Sequence, residues 1–170
     1  MSRHVAILGL GARGARWADA YHRSGWLVSC FDPEPSAGAF LSSHDDVRRE
    51  GTISAAVKGA DWIVCCLPER LELLRMVLQR AQVEARSQTI IVVATRDLDV
   101  EDIQACTLRP AQVVRVTEAE DGTLSLDVTD RNDDALRDDA QQVLAELSAA
   151  LSLAPREAEQ AYDDAGAESA

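Results

Sequence analysis

The stretch Val5-Ala6-Ile7-Leu8-Gly9-Leu10-Gly11-Ala12-Arg13-Gly14 decides the fold of this chain. It is a short apolar run that passes at once into a glycine-rich turn. A segment of helical character follows, and then a second apolar run, Trp26–Phe31, which ends at the acid Asp32. The order strand, glycine turn, helix, strand and acid is typical of a dinucleotide-binding unit.

Each glycine of this motif has a predicted mechanical role. Gly9 lets the chain turn tightly out of the strand, and Gly14 lets the helix pack close to that strand. Gly11 has no Cβ, so the backbone there can approach a pyrophosphate. A side chain at Gly11 is expected to fill that space and to strain the turn. The free N–H groups and the dipole at the start of the helix favour a bound phosphate.

The acid after the second strand predicts which dinucleotide is bound. Asp32 lies 18 residues after Gly14, close to the usual spacing of about 20 residues. A carboxylate there accepts hydrogen bonds from an adenosine ribose and repels a 2′-phosphate, so we predict NAD rather than NADP. The alternative is that the glycines only shape a strand-to-helix turn and that Asp32 only caps a loop.

Composition excludes several classes of protein. With a net charge of −12 over 170 residues, binding of nucleic acid or of an anionic membrane through bulk charge is not expected. No apolar run is long enough to cross a bilayer and no signal peptide precedes the first strand, which predicts a cytoplasmic protein. The four cysteines, Cys30, Cys65, Cys66 and Cys106, show no CxxC spacing, so we expect reduced thiols and no metal site.

The rest of the chain alternates strands with helices, which predicts an α/β fold: an open, doubly wound, mostly parallel sheet of Rossmann type. We expect one domain over residues 1–154 and an acidic, flexible tail over residues 155–170. The further predicted strands are Val47–Glu50 at an edge, Asp61–Leu67, Thr89–Ala94, Val113–Val116 and a half-exposed, antiparallel Thr123–Thr129. The predicted helices are Ala12–Arg23, a short Ala37–Ser43, one capped by Thr52 that ends at Val57, Glu69–Ala85, one capped by Asp99 that ends at Cys106, and one from Asn132 or Asp133 to Leu153.

Three further segments carry a resemblance to a known family. They are Ala60-Asp61-Trp62-Ile63-Val64 running into Pro68-Glu69-Arg70-Leu71-Glu72-Leu73, then Leu98-Asp99-Val100, and then Arg109-Pro110-Ala111-Gln112-Val113-Val114. Together with the N-terminal motif, this pattern resembles the NAD-binding half of the 3-hydroxyacyl-CoA dehydrogenases, and most of all their relatives, the carnitine 3-dehydrogenases. The resemblance covers about residues 5–128.

The resemblance implies NAD as the cofactor and a set of residues that contact it. The pyrophosphate and the adenosine ribose would be held by Gly9, Leu10, Gly11, Ala12, Arg13, Gly14 and Asp32. Leu67, Pro68 and Glu69 would lie along the cofactor beyond the pyrophosphate. Where the family has a lysine near the cofactor, this chain has Leu74, and the neighbouring Arg75 points about 100° away around the helix axis.

The positions that carry the family's chemistry do not match. The family's catalytic histidine falls at Thr117, whose hydroxyl cannot take a proton from an alcohol near neutral pH as imidazole can. The glutamate that orients that histidine has its nearest match at Asp127. The family's Ser-Asn-Thr-Ser stretch reads Val93-Ala94-Thr95-Arg96 here. The three histidines, His4, His22 and His44, are expected on the surface, so no catalytic residue is assigned.

Such dehydrogenases also continue into a helical domain that completes the substrate pocket, and this domain is expected to be absent here. Three hypotheses follow. The chain is an NAD-binding domain without dehydrogenase activity of its own, or an oxidoreductase completed by a partner chain or by a homo-oligomer, or an interaction module that has lost the nucleotide. The glycines and Asp32 argue against the third hypothesis, and Thr117 argues against the second.

Overall fold

The computed structural model describes residues 3–39, 41 and 46–152. Its strands are β1 (His4–Leu8), β2 (Leu27–Phe31), β3 (Val47–Arg49), β4 (Trp62–Cys65), β5 (Ile90–Ala94), β6 (Val113–Glu118) and β7 (Leu124–Asp127). Its helices are α1 (Ala12–Arg23), α2 (Ile53–Val57), α3 (Leu71–Glu84), α4 (Val100–Ala105) and α5 (Asp134–Ser152). The predicted α/β alternation is confirmed throughout this part of the chain.

The seven strands form one sheet in the order β3-β2-β1-β4-β5-β6-β7. The first six are parallel, and β7 pairs with β6 in the antiparallel direction, as its alternating sequence predicts. The chain moves one way from β1 to β2 and β3, and then returns to the other side of β1 with β4. Open α/β sheets bind ligands at such a switch point, beside the carboxyl ends of the strands.

The core lies in two layers because neighbouring residues of a strand face opposite sides of the sheet. On one side, Val5 and Ile7 pack with α1 and α5. On the other side, Ala6 and Leu8 pack with α2, α3 and α4. The strand β4 is buried along its whole length, which is the pattern of a parallel strand covered on both faces.

Two helices begin with the predicted side-chain caps. Thr52 Oγ1 accepts a hydrogen bond from the Ala55 N–H at 3.1 Å, and Asp99 Oδ1 accepts one from the Glu101 N–H at 2.8 Å. These bonds satisfy backbone donors that a helix start leaves free. By contrast, the N-cap residue of α1 is Gly11, and no side chain caps that helix.

The helix α3 begins two residues later than predicted. The backbone of Arg70 is extended, with φ −129° and ψ 114°, and the Glu69 side chain accepts a hydrogen bond from the Arg96 N–H at 2.7 Å. Glu69 therefore belongs to the loop before α3 because its carboxylate is held by the end of β5.

Other predicted boundaries shift by one or two residues. Trp26 lies before β2, where its ring makes edge contacts with Tyr21 and Trp62 at centroid distances of 5.1 and 6.4 Å. The predicted helix Ala37–Ser43 includes residues outside the described part of the chain, and the predicted tail 155–170 lies wholly outside it. None of the described helices is long and apolar enough to cross a membrane.

Candidate dinucleotide site

A cavity of about 710 Å³ lies at the carboxyl ends of β1, β2 and β4, at the switch point of the sheet. This volume is in the range of small-molecule and cofactor sites. Nine of the ten predicted cofactor residues line it: Gly9, Gly11, Ala12, Arg13, Gly14, Asp32, Leu67, Pro68 and Glu69. The fold thus brings together the glycine motif, the acid after β2 and the loop after β4.

The first and third glycines of the motif are fixed by packing. Gly9 has a φ of +96°, and a Cβ there would lie 2.2 Å from the Cys66 carbonyl oxygen. A Cβ on Gly14 would lie 1.8 Å from the Gly9 carbonyl oxygen. Both predicted roles, the tight turn and the close approach of helix to strand, are confirmed.

The second glycine differs from the other two, and one part of the prediction for it is wrong. Gly11 has an ordinary φ of −62°, and a Cβ there would meet no atom within 4 Å. A side chain at Gly11 would therefore extend into the cavity without straining the turn, since its φ suits any residue. The space beside Gly11 is open on the cavity side.

The tenth predicted residue, Leu10, lies beneath the cavity and is not part of its wall. Its side chain is buried in the core, and its N–H donates a 2.7 Å hydrogen bond to Asp32 Oδ2. Leu10 therefore links the glycine turn to the acid after β2.

Asp32 is oriented by backbone donors at the rim of the cavity. Besides the bond from Leu10, its Oδ1 accepts a hydrogen bond from the Glu34 N–H at 2.8 Å. Each carboxylate oxygen retains a second lone pair, so the group can still accept hydrogen bonds from a diol. The prediction that Asp32 merely caps a loop and the prediction that it binds ribose are both compatible with this geometry.

Glu69 joins the loop after β4 to the turn after β5. Its carboxylate accepts hydrogen bonds from the Thr95 hydroxyl and from the Arg96 N–H. Burial alone would raise the pKa of Glu69, but these bonds, a further one from the Asp97 backbone and the charge of Arg13 hold the pKa below its ordinary value. Glu69 is therefore ionised near neutral pH, and it stabilises the loop that lines the cavity.

The wall also contains residues that the sequence interpretation missed. Ile53, Leu73 and Val77 supply apolar surface from α2 and α3. Cys66, directly after β4, also lines the cavity, and burial raises the pKa of its thiol to about 12. A neutral thiol is a poor nucleophile. The approach of Ile53, Leu73 and Val77 to the end of β4 depends on the tertiary fold.

The positions that match the family's catalytic residues do not form an acid–base pair. Thr117 lies on β6 opposite Ser125 of β7. Asp127, the nearest match to the orienting glutamate, instead accepts a 2.8 Å hydrogen bond from Arg115. The second terminal nitrogen of Arg115 donates to the Arg96 carbonyl at 2.8 Å. A carboxylate that could orient a base at position 117 is therefore already paired with an arginine.

The position that matches the family's cofactor lysine and the three histidines lie in different surroundings. Leu74 is buried in the core, whereas the neighbouring Arg75 is exposed. His4 is half-buried, with Nε2 2.7 Å from Ser29 Oγ. His22 is half-buried as well, and His44 lies outside the described residues. Within the described ranges, no group of three His, Cys, Asp or Glu side chains is arranged to hold a metal ion.

The sheet order, the glycine turn and the cavity define a dinucleotide-binding domain of Rossmann type. The family model described as 3-hydroxyacyl-CoA dehydrogenase, NAD binding domain, matches residues 41–117. The chain is thus similar to the NAD-binding domain of the 3-hydroxyacyl-CoA and carnitine dehydrogenases. The predicted resemblance and the predicted cofactor, NAD, are confirmed.

Similar proteins support this relation. The chain is 33% identical over 129 residues to the L-carnitine dehydrogenase/betainyl-CoA thioesterase of Ruegeria pomeroyi, covering 65% of this chain and 26% of that protein. It is 27% identical over 131 residues to the L-carnitine dehydrogenase of Streptomyces griseus, covering 66% of this chain and 39% of that protein. The chain therefore spans about a quarter to two fifths of the length of these relatives.

A solved structure supports the fold. The (S)-3-hydroxybutyryl-CoA dehydrogenase of Ralstonia eutropha superposes with a TM-score of 0.77 at 17% identity, covering 87% of this chain and 62% of that chain. At this identity the likeness concerns the fold alone.

Proposed function

We propose that this chain binds NAD in the cavity at the switch point, with the adenosine ribose at Asp32 and the pyrophosphate over the start of α1. The observation that carries the proposal is the open space beside Gly11 at an uncapped helix start. The free N–H groups of the first turn and the helix dipole suit a phosphate anion. Leu67, Pro68 and Glu69 then lie along the cofactor beyond the pyrophosphate.

A fluorescence titration tests this proposal. NADH is titrated with the 170-residue chain, and the nicotinamide emission is followed. We expect saturable binding, displacement by NAD, and displacement by AMP, because AMP occupies the adenosine side of the same cavity. Failure of NADH to bind would contradict the proposal, and binding that AMP does not displace would contradict the placement of the adenosine.

We further propose that the 170-residue chain alone has no dehydrogenase activity. Thr117 cannot serve as the base, and Asp127 is paired with Arg115. General acid–base catalysis typically contributes about 10²–10⁴-fold in rate.

A second candidate function is an NAD-dependent dehydrogenase completed by a partner chain or by a homo-oligomer. The observation that favours it is that the matched relatives are dehydrogenases of which this chain spans only a part. The two proposals are separated by assaying NADH formation from 3-hydroxyacyl-CoA and from L-carnitine. Turnover by the chain alone supports the dehydrogenase. Turnover only after addition of a purified protein partner supports completion in trans.

The compartment is also a proposal. The four cysteines are free thiols, which suits a reducing compartment, and we propose the cytoplasm. Alkylation of the denatured protein, extracted from its native cells under acid quenching, should label all four thiols. Protection of a pair of them by a disulfide would contradict this location.

A further inference from the structure

The loop that carries Asp32 is held by one arginine from the neighbouring strand. Residues 32–37 follow β2 without regular secondary structure, and Asp32, Pro33, Glu34 and Ala37 line the cavity. The Arg49 guanidinium donates hydrogen bonds to the carbonyl oxygens of Glu34 at 2.6 Å, of Asp32 at 3.4 Å and of Ala37. A single side chain thus contacts both ends and the middle of this loop.

The pairing of β3 with β2 places Arg49 beside the loop that carries Asp32. In the parallel pair of β2 and β3, Arg49 lies in register with Cys30, and the Glu50 N–H donates to the Cys30 carbonyl at 2.8 Å. The backbone of Arg49 is therefore fixed to β2, the strand that precedes Asp32. A planar guanidinium with five donors can bind several carbonyls at once, which an ammonium does less well.

Glu34 transmits this constraint to the carboxylate of Asp32. Its carbonyl oxygen is bound by Arg49, and its N–H donates to Asp32 Oδ1 at 2.8 Å. The other carboxylate oxygen is held by the Leu10 N–H. Loss of Arg49 would leave Leu10 as a fixed donor but would release Glu34, so the carboxylate would lose one of its two backbone anchors.

We infer that Arg49 is a positioning residue for the adenosine half of the dinucleotide: it fixes the loop so that Asp32 faces the ribose, and it thereby sets both the affinity for NAD and the selectivity against NADP. This inference rests on the proposed NAD binding. Arg49 itself touches the loop backbone. Its guanidinium directs three hydrogen bonds to carbonyl oxygens of the loop.

Neighbouring Arg48 provides a matched control. It lies on the same strand, is exposed, and points to the opposite face of the strand. The structure shows no side-chain hydrogen bond for Arg48 among the residues that it describes. The variants Arg49→Ala and Arg48→Ala therefore remove the same charge, but only the first removes the contacts to the loop.

The test measures the dissociation constants for NAD and NADP, with the melting temperature, in the wild-type protein, R49A, R49K and R48A. We expect R49A to weaken NAD binding about tenfold or more, the equivalent of one to two hydrogen bonds. Because the Asp32 carboxylate becomes less well placed, the ratio of the NADP to the NAD constant should fall about threefold. R49K should lie between R49A and the wild type, and R48A should stay within about twofold of it.

Several results would overturn the inference. NAD binding by R49A at wild-type strength, or an equal loss in R48A, would show that position 49 has no special role. Equal weakening of NAD and NADP, or loss of the folded state in both R49A and R49K, would show a merely structural role. If the wild-type protein binds neither nucleotide, the proposed function itself is wrong, which is a distinct outcome.

Discussion

At the scale of single residues, the glycines of one motif differ in what surrounds them. Gly14 faces the Gly9 carbonyl at a distance that no Cβ could tolerate, whereas Gly11 faces open cavity. Sequence alone places both in the same pattern. Substitution of Gly14 should therefore destabilise the fold, whereas substitution of Gly11 should weaken nucleotide binding.

We predict that Gly11→Val abolishes NAD binding and leaves the melting temperature nearly unchanged, because the new side chain enters the cavity and not the core. Calorimetric titration and thermal unfolding measure the two effects. Gly51→Val is the matched control, since a Cβ at Gly51 also meets nothing within 4 Å but lies outside the lining of the cavity. Intact NAD binding in Gly11→Val would contradict the placement of the pyrophosphate.

We predict that Gly14→Ala, unlike Gly11→Val, lowers the stability of the fold. Its Cβ would lie 1.8 Å from a backbone oxygen, so helix α1 must move away from β1. Overpacking of this kind costs about 1–3 kcal/mol or more. Chemical denaturation should show this loss of unfolding free energy in the absence of any nucleotide, and an unchanged stability would contradict the close packing of α1 on β1.

At the scale of elements, hydrogen bonds that connect loops after different strands shape the cavity. Glu69, after β4, holds the turn after β5, and Arg49, on β3, holds the loop after β2. These hydrogen bonds join residues that are far apart in the sequence, and each has a backbone group as one partner.

We predict that Glu69→Gln lowers the melting temperature at pH 7, on the order of a degree or two because the group is largely exposed. The pKa of Glu69 is lowered in the folded protein, so its contribution to stability is fully present above the unfolded pKa of about 4.3. That contribution is lost as the pH falls through the folded pKa. The difference between wild type and variant should therefore shrink in acid.

Glu72→Gln is the control for this prediction. Glu72 lies near Arg75 at 3.9 Å, and its side chain is 86% exposed. Screening by water leaves such a pair with little effect on stability. A larger loss of stability in Glu72→Gln than in Glu69→Gln would contradict a stabilising role of the hydrogen bonds between Glu69 and the turn after β5.

Elements whose ends depend on neighbouring residues can be predicted from the sequence, whereas those that depend on contacts between distant residues cannot. Helix α1 was placed correctly at both ends because the glycine motif starts it and Gly25, with a φ of +86°, follows it. The start of α3 was misplaced because Glu69 is held by the distant turn after β5. The contacts of Arg49 could not be predicted, since they depend on the register of β3 against β2. The ten candidate residues followed from the motif and the resemblance, whereas the cavity wall from α2 and α3 required the fold.

At the scale of the whole molecule, the sheet forms a cavity at its switch point, and the position on β6 that matches the family's catalytic histidine carries Thr117. We predict that Thr117→His does not restore NADH formation from L-carnitine or 3-hydroxyacyl-CoA by the 170-residue chain. A histidine at 117 would find Asp127 already paired with Arg115. Restored turnover, measured by absorbance of NADH, would contradict this account and support the dehydrogenase proposal.

Titration calorimetry with NAD and NADP measures whether the cleft binds NAD with the adenosine ribose at Asp32. We expect saturable binding of one NAD per chain and weaker binding of NADP, because the Asp32 carboxylate repels a 2′-phosphate. Absence of NAD binding, or tighter binding of NADP, would contradict it.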